Sequence, residues 1–364
     1  MVDVSALRAA IGSVEDPEIH RSLGELKMLR EVDVDDGSVR VLIALTIPGC
    51  PLKDKLTADV TAAAQTIDGV GDVAVQFTSM SDGERAALMT DIRGGQERDI
   101  AAARPGSRTR IIAVSSGKGG VGKSSVTTNL AVALAARNKA VGVIDADVWG
   151  FSIPRMLGIE RPPTVIDETL FPPEAYGVMC MSMDFFVGDE QAVIWRGPML
   201  HKALEQFLAD VYWGDPDYLL IDMPPGTGDV SLSISQFLPE AQALIVTTPQ
   251  ATAQRVAKRA GLMALKVDQT ILGVVENMAW FTGDDGKRYP IFGEGGGQAL
   301  ATELDVPLLA SVPLVPALRA GADAGAPVAI AEPDGEAALV FAALAEEVEN
   351  RKPRLRSHPQ LVIN

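Results

Sequence analysis

The segment Gly117-Lys118-Gly119-Gly120-Val121-Gly122-Lys123-Ser124 constrains this chain more than any other feature. It fits the pattern G-x-x-x-x-G-K-[ST], in which a glycine-rich turn opens a helix. The apolar run Ile111-Ile112-Ala113-Val114 precedes it, and Val126, Leu130 and Leu134 follow at helical spacing. Glycines let the backbone curl so that successive N–H groups face phosphate oxygens. Lys123 is then placed to reach the terminal phosphates of ATP, and the Ser124 hydroxyl to bind Mg²⁺. A chance match is the alternative, since the chain has 34 glycines. The strand before and the helix after argue against it.

From Arg110 onward, buried strands alternate with helices. Ile111–Val114, Val141–Ile144, Tyr218–Ile221, Ala243–Val246, Ile271–Val275 and Leu308–Ala310 are short continuous apolar runs. Such runs separated by helices indicate a parallel sheet covered on both faces. The fold class expected is therefore α/β, a doubly wound and mostly parallel sheet carrying the phosphate loop, with a small α/β domain in front. The last helix is expected over Gly335–Asn350, stopped by Pro353.

In the front domain, Ser5–Val14 reads as helix, and Val32–Val34 and Val39–Ile43 flank the hairpin signal Asp35-Asp36-Gly37. Pro51–Ile67 has helical spacing and Val73–Phe77 reads as a closing strand. Ser81–Thr109 is polar and carries Gly94-Gly95 and Pro105-Gly106, a linker pattern with a short helix around Glu84–Met89. The expected organisation is a small domain over 1–80, a linker over 81–109, the nucleotide-binding domain over 110–350 and a flexible tail over 351–364.

Bulk properties narrow the function. The chain has 364 residues, 47% of them hydrophobic, which is enough for a large core and a small one. No stretch reaches the roughly 20 apolar residues of a membrane span. The first residues show no secretory signal, and two cysteines suit a reducing cytoplasm. A formal charge of −16 disfavours a polyanionic partner, so no nucleic acid is expected, and with no apolar span no membrane is expected either. His20, His201 and His358 show no ligand spacing.

Two acidic positions follow strands. Asp145-Ala146-Asp147 ends one and Asp222 ends Tyr218-Leu219-Leu220-Ile221. A carboxylate at the C-terminal tip of a parallel strand lies at the crevice where ligands bind. Asp222 is placed to join Ser124 in holding Mg²⁺, with strand-end capping as the alternative reading for both positions. Met223-Pro224-Pro225-Gly226-Thr227-Gly228-Asp229 is a Gly/Pro-hinged loop suited to sensing a terminal phosphate.

With Lys118 inside the loop, the sequence resembles the deviant-Walker ATPases (the MinD, ParA, nitrogenase iron protein and Mrp group). The resemblance implies a homodimer in which Lys118 touches the partner's nucleotide. A solvent-facing lysine is the reading from position alone. It also implies that Asp147 orients the attacking water, that Asn277 contacts the adenine, and that ATP hydrolysis is slow. Lys118, Lys123 and Asp147 are thus the candidate catalytic residues. Gly117 through Ser124, with Ser125 and Asn277, form the candidate cofactor-binding set.

Asp145-Ala146-Asp147-Val148-Trp149-Gly150-Phe151-Ser152-Ile153-Pro154, Trp195-Arg196-Gly197-Pro198-Met199, Val275-Glu276-Asn277-Met278 and Ile291-Phe292-Gly293-Glu294-Gly295-Gly296-Gly297 are similar to Mrp/ApbC iron–sulfur cluster carriers. Asp16-Pro17-Glu18 and Thr46-Ile47-Pro48-Gly49-Cys50-Pro51 are similar to the SufT-like domain that many of them carry. Together these imply a carrier that hands iron–sulfur clusters to apo acceptor proteins. Cys50, expected at a helix N-terminus that favours thiolate, is a candidate cluster or thiol site, or else a buried small hydrophobe. Cys180 lies in an apolar run and reads as core. The chain departs from the family in one place. Carriers of this type place a C-x-x-C pair after Glu-Asn-Met, whereas Ala279–Pro290 contains no cysteine. Two further readings therefore stand beside the carrier: a MinD/ParA-like positioning ATPase, and an ATP-switched assembly factor that holds no cluster. For the first, the tail Arg351–Asn364 is basic then apolar, but its two prolines interrupt any membrane-binding helix.

Overall fold

The computed structural model describes residues 2–46, 52–92, 100–104, 106–148, 150–186, 197–226 and 229–351. The chain divides into two compact units, one of Met1–Arg104, Arg161–Pro173 and Glu205–Asp215, the other of Pro105–Glu160, Glu174–Leu204 and Pro216–Asn364.

The first unit is built on a three-stranded sheet. Leu29–Asp35 runs antiparallel to Ser38–Leu45, which pairs in parallel with Val73–Ser79. Asp36 and Gly37 both have positive φ (46° and 84°), the geometry of a two-residue primed turn whose twist matches the flanking strands. Helices Val4–Gly12 and Lys53–Gln65 contribute Leu7, Ile11, Leu56 and Val60 to a shared core. The helix expected around Glu84–Met89 extends over Asp82–Ile92 and adds Leu88, Met89 and Ile92 to that core.

A hairpin distant in sequence joins the same core. Thr164–Ile166 pairs with Thr169–Phe171, and Ile166 and Phe171 are fully buried there. The Phe171 ring lies 5.4 Å from that of Tyr212. Within this unit the Asp16 carboxylate accepts the Glu18 and Ile19 N–H groups, both at 3.0 Å. Glu18 accepts the Thr164 hydroxyl at 2.8 Å. Burial raises the pKa of both carboxyls.

The second unit holds an eight-stranded sheet. Its order is Leu308–Ser311, Thr270–Glu276, Gln242–Thr247, Arg110–Ser116, Tyr218–Asp222, Val141–Asp145, Val178–Ser182 and Glu174–Ala175. All neighbours are parallel except the last pair. Every residue of Val141–Asp145, Tyr218–Asp222 and Gln242–Thr247 is buried, as expected of strands covered on both faces. The helix Lys123–Ala135 and the terminal helix Glu336–Asn350 supply Leu130, Leu134, Phe341 and Leu344 to one core. All six expected strands of this sheet are present, and Val178–Ser182 adds a seventh parallel one.

Candidate nucleotide site

The phosphate loop joins the strand Arg110–Ser116 to the helix Lys123–Ala135. Gly120 and Gly122 have φ of 80° and 79°, in the left-handed region that side chains rarely adopt. Gly122 is also the residue preceding the helix, whose first N–H groups have no intrahelical partner and whose dipole favours an anion. Gly117 is required for a different reason. A Cβ there would lie 2.1 Å from the backbone carbon of Val256 in the helix Ala251–Lys266. The loop and that helix therefore meet backbone to backbone.

A single carboxylate organises the floor of the site. Asp222 is fully buried, and one of its oxygens accepts the Lys123 ammonium and the Ser124 hydroxyl, each at 2.6 Å. Its other oxygen accepts the Thr127 hydroxyl at 2.7 Å. Asp147 reaches the same ammonium, with Oδ2 at 3.5 Å from Lys123 Nζ. Thr127 was not marked by the loop motif. Its signal is helical spacing, four residues after Lys123 and on the same face.

Asp145 lies beside Asp222 in register. Burial first, and then the Asp222 charge, raise its pKa to about 7. It accepts the Ser152 and Ile153 N–H groups at 2.9 and 3.1 Å and the Ser182 hydroxyl at 3.3 Å. It thereby fixes the loop that follows its strand and carries Asp147.

Above this floor opens a cavity of about 370 Å³. Lys118, Gly119, Gly120, Gly122, Lys123, Ser124, Ser125 and Asp147 line it, with Gly150, Ser152 and Pro225 among the facing residues. Val121 is buried beneath the loop. Lys118 donates to Gln250 Oε1 at 3.3 Å. Gln250 immediately precedes the helix Ala251–Lys266, and neither motif nor spacing had singled it out. Of the Met223–Asp229 loop, Gly226 donates its N–H to the Ser116 carbonyl at 2.9 Å. Thr227 and Gly228 lie outside the described residues, as does Cys50. Asn277 is buried and donates from Nδ2 to the Val121 carbonyl at 2.9 Å.

Cys180 is fully buried in the core, and burial pushes its thiol pKa well up, so it is no ligand for a surface cluster. The segment that lacks the C-x-x-C pair forms a small hairpin, Phe281–Thr282 against Arg288–Tyr289. Glu336 pins it, accepting from Trp280 Nε1 at 3.0 Å, the Thr282 hydroxyl at 2.8 Å and Arg288 at 3.2 Å. Arg288 also stacks 4.0 Å from the Trp280 ring centroid. No helix among the described residues is long and apolar enough to cross a membrane.

A parallel α/β sheet, a glycine-lined loop opening a helix, and a lysine, a serine and a strand-end aspartate in contact define a P-loop nucleotide-binding protein. Residues 107–349 match the family described as ParA, NUBPL iron-transfer P-loop NTPase, and residues 5–77 match the family described as iron–sulfur cluster assembly protein. The chain belongs to the NUBPL-type iron-transfer P-loop NTPases. It is 48% identical over 356 residues to the iron–sulfur cluster carrier protein of Mycobacterium tuberculosis, covering 96% of this chain and 93% of that one. Among solved structures, a nucleotide-binding protein of Archaeoglobus fulgidus in complex with ADP is 39% identical, with a TM-score of 0.53, covering 60% of this chain and 87% of that one. The cell division ATPase MinD of Pyrococcus furiosus is 28% identical, with a TM-score of 0.51, covering 66% of this chain and 98% of that one.

Proposed function

We propose that this chain is an ATP-hydrolysing carrier that binds iron–sulfur clusters and hands them to apo acceptor proteins, working as a homodimer. The observation that carries this reading is that the likeness to the mycobacterial carrier spans 96% of the chain, and so includes the small assembly module as well as the NTPase.

The residues fit the nucleotide's needs. The Lys123 ammonium rests on Asp222, 2.6 Å from Oδ2. Lys123 would turn its ammonium from that carboxylate to a triphosphate, the more highly charged anion. Ser124 Oγ and Asp222 Oδ2 are already 2.6 Å apart and are hard oxygen donors, the kind Mg²⁺ takes, so these two would hold the ion. Bound there, Mg²⁺ supplies charge neutralisation on the phosphates. Asp147 lines the cavity on the side of Lys123 and is assigned to orienting the attacking water. Lys118 is assigned to the partner's nucleotide. Reaching it means giving up the 3.3 Å bond from its charged ammonium to the amide oxygen of its own Gln250. Closing and opening of the dimer would then follow nucleotide state, and cluster transfer would be coupled to it.

The test is anaerobic reconstitution of the full chain with iron and sulfide, followed by metal and sulfide analysis, with Cys50→Ala as control. Bound iron and sulfide, lost in the variant, support carriage through the first unit. Colourless wild-type protein without either would end it.

A second reading is an ATP-switched assembly factor that holds no cluster. One observation favours it: the cysteine-free segment after Met278 is a hairpin closed by Trp280, Arg288 and Glu336, with no thiol among its residues. The same reconstitution separates the two, since the second predicts ATP turnover without bound iron.

A further inference from the structure

Asn277 follows the strand Thr270–Glu276 and meets the phosphate loop. Its backbone is fixed on both sides: its own N–H donates to the Thr247 carbonyl at 2.8 Å, and the Val312 N–H donates to the Glu276 carbonyl at 2.8 Å. The Glu276 carboxylate accepts the Gly297 N–H at 2.7 Å, and a Cβ on Gly297 would come within 2.5 Å of the Glu276 Cβ. Met278 then turns the chain with φ of 56°. The side chain so held is 4% exposed and meets the phosphate loop. A carbonyl can only accept, so the contact with Val121 fixes which end of the amide faces the loop.

The loop is shaped to this side chain. A Cβ on Gly122 would lie 2.1 Å from Asn277 Nδ2 and 3.8 Å from Met278 Cε. In a planar trans peptide the C=O and the next N–H point opposite ways, so holding the Val121 carbonyl also sets the direction of the Gly122 N–H. Gly122 lines the cavity and precedes Lys123.

From this tether we infer that Asn277 is a positioning residue for phosphate binding: it holds the Val121–Gly122 peptide in its anion-ready orientation and so couples the strand Thr270–Glu276 to the loop. The inference rests on the nucleotide reading above and extends it, because it assigns to Asn277 an effect on phosphates that a base contact lacks.

Binding of ATP and of inorganic tripolyphosphate, each with Mg²⁺, is measured by titration calorimetry on the full chain and on Asn277→Ala and Asn277→Asp. Positioning predicts that both ligands weaken by a similar factor, about tenfold in the alanine variant, the size of one lost hydrogen bond. The aspartate variant, whose carboxylate would face the Val121 carbonyl, weakens both further. A loss confined to ATP, with tripolyphosphate unchanged, would overturn the inference and leave a base contact alone. Wild-type protein that binds neither ligand would overturn the nucleotide reading itself, a distinct result. Proton exchange of the Asn277 side-chain amide in the wild type needs no variant to fold. A slowly exchanging proton supports the tether, and a freely exchanging pair contradicts it.

Discussion

Asp145 and Asp222 are register partners on adjacent parallel strands, so two buried carboxylates end side by side beneath the phosphate loop. Lys123, Ser124 and Thr127 all turn to Asp222, while Asp145 holds backbone N–H groups of the next loop. The pair divides the labour of the site between anchoring the first turn of the loop's helix and shaping the facing wall.

That division has a pH signature. The Asp145 pKa is raised from 3.8 to about 7 in the fold, so folding favours its protonated form. Its contribution to stability is complete below pH 3.8 and falls as pH rises through about 7. Urea unfolding of nucleotide-free protein from pH 4 to pH 8 should therefore show wild type losing ground to Asp145→Asn as pH rises. A pKa difference of one is worth ~1.4 kcal/mol, so a difference of about three gives a relative change of on the order of 4 kcal/mol. A difference between the two that does not move with pH would contradict this.

Lys123→Ala should abolish ATP turnover and also destabilise the fold. It removes the ammonium 2.6 Å from Asp222, a carboxylate that is fully buried. Breaking a buried pair costs about 3 kcal/mol. The Ser124 and Thr127 hydroxyls would still reach the carboxylate, which sets the loss at or below that figure. An unchanged urea midpoint would mean that Asp222 does not depend on this lysine.

Lys118→Ala is expected to cost at most about 1.5 kcal/mol of stability, the net worth of its bond to Gln250, while reducing turnover strongly. Mixing Lys118→Ala with Asp147→Ala tests which protomer's nucleotide the lysine serves. Each parent is strongly impaired, but a mixed dimer contains one complete site if Lys118 acts on its partner's nucleotide. Recovery of activity on mixing is expected, approaching a quarter of wild type per site. Mixtures as impaired as their parents would place Lys118 with its own nucleotide.

Gly117 and Gly119 differ in what surrounds them. Ala at 117 would drive a methyl into the Val256–Ala257 backbone at 2.1–2.2 Å, whereas nothing lies within 4 Å of a Cβ at 119. Gly117→Ala should cost at least 1–3 kcal/mol, the usual penalty of overpacking, and lower the melting temperature. Gly119→Ala should melt with wild type. Equal melting of the two variants would refute the close approach of the loop to the helix Ala251–Lys266.

Much of this was legible in the sequence because its signals are local. The loop motif, the apolar strands and the carboxylates at or just past two strand ends, Asp147 and Asp222, each follow from spacing over a few residues. The Thr164–Phe171 hairpin was not. Its turn residues Asp167 and Glu168 both adopt positive φ (44° and 66°) without the glycine or asparagine that announces such a turn. Its place in the first unit's core depends on a pairing far along the chain. Gln250, and the contact that Asn277 makes with the loop, were illegible in the same way. Their hydrogen bonds to Lys118 and Val121 span 132 and 156 residues, and only the strand order brings them together.

The most direct measurement of the central claim is activation of an apo iron–sulfur enzyme by anaerobically reconstituted protein, with and without MgATP, beside Lys123→Ala. The account predicts that wild type activates the acceptor at a rate that MgATP alters, and that the variant's rate ignores nucleotide. Reconstituted wild type that activates no acceptor, or does so identically with MgATP and in Lys123→Ala, would contradict it.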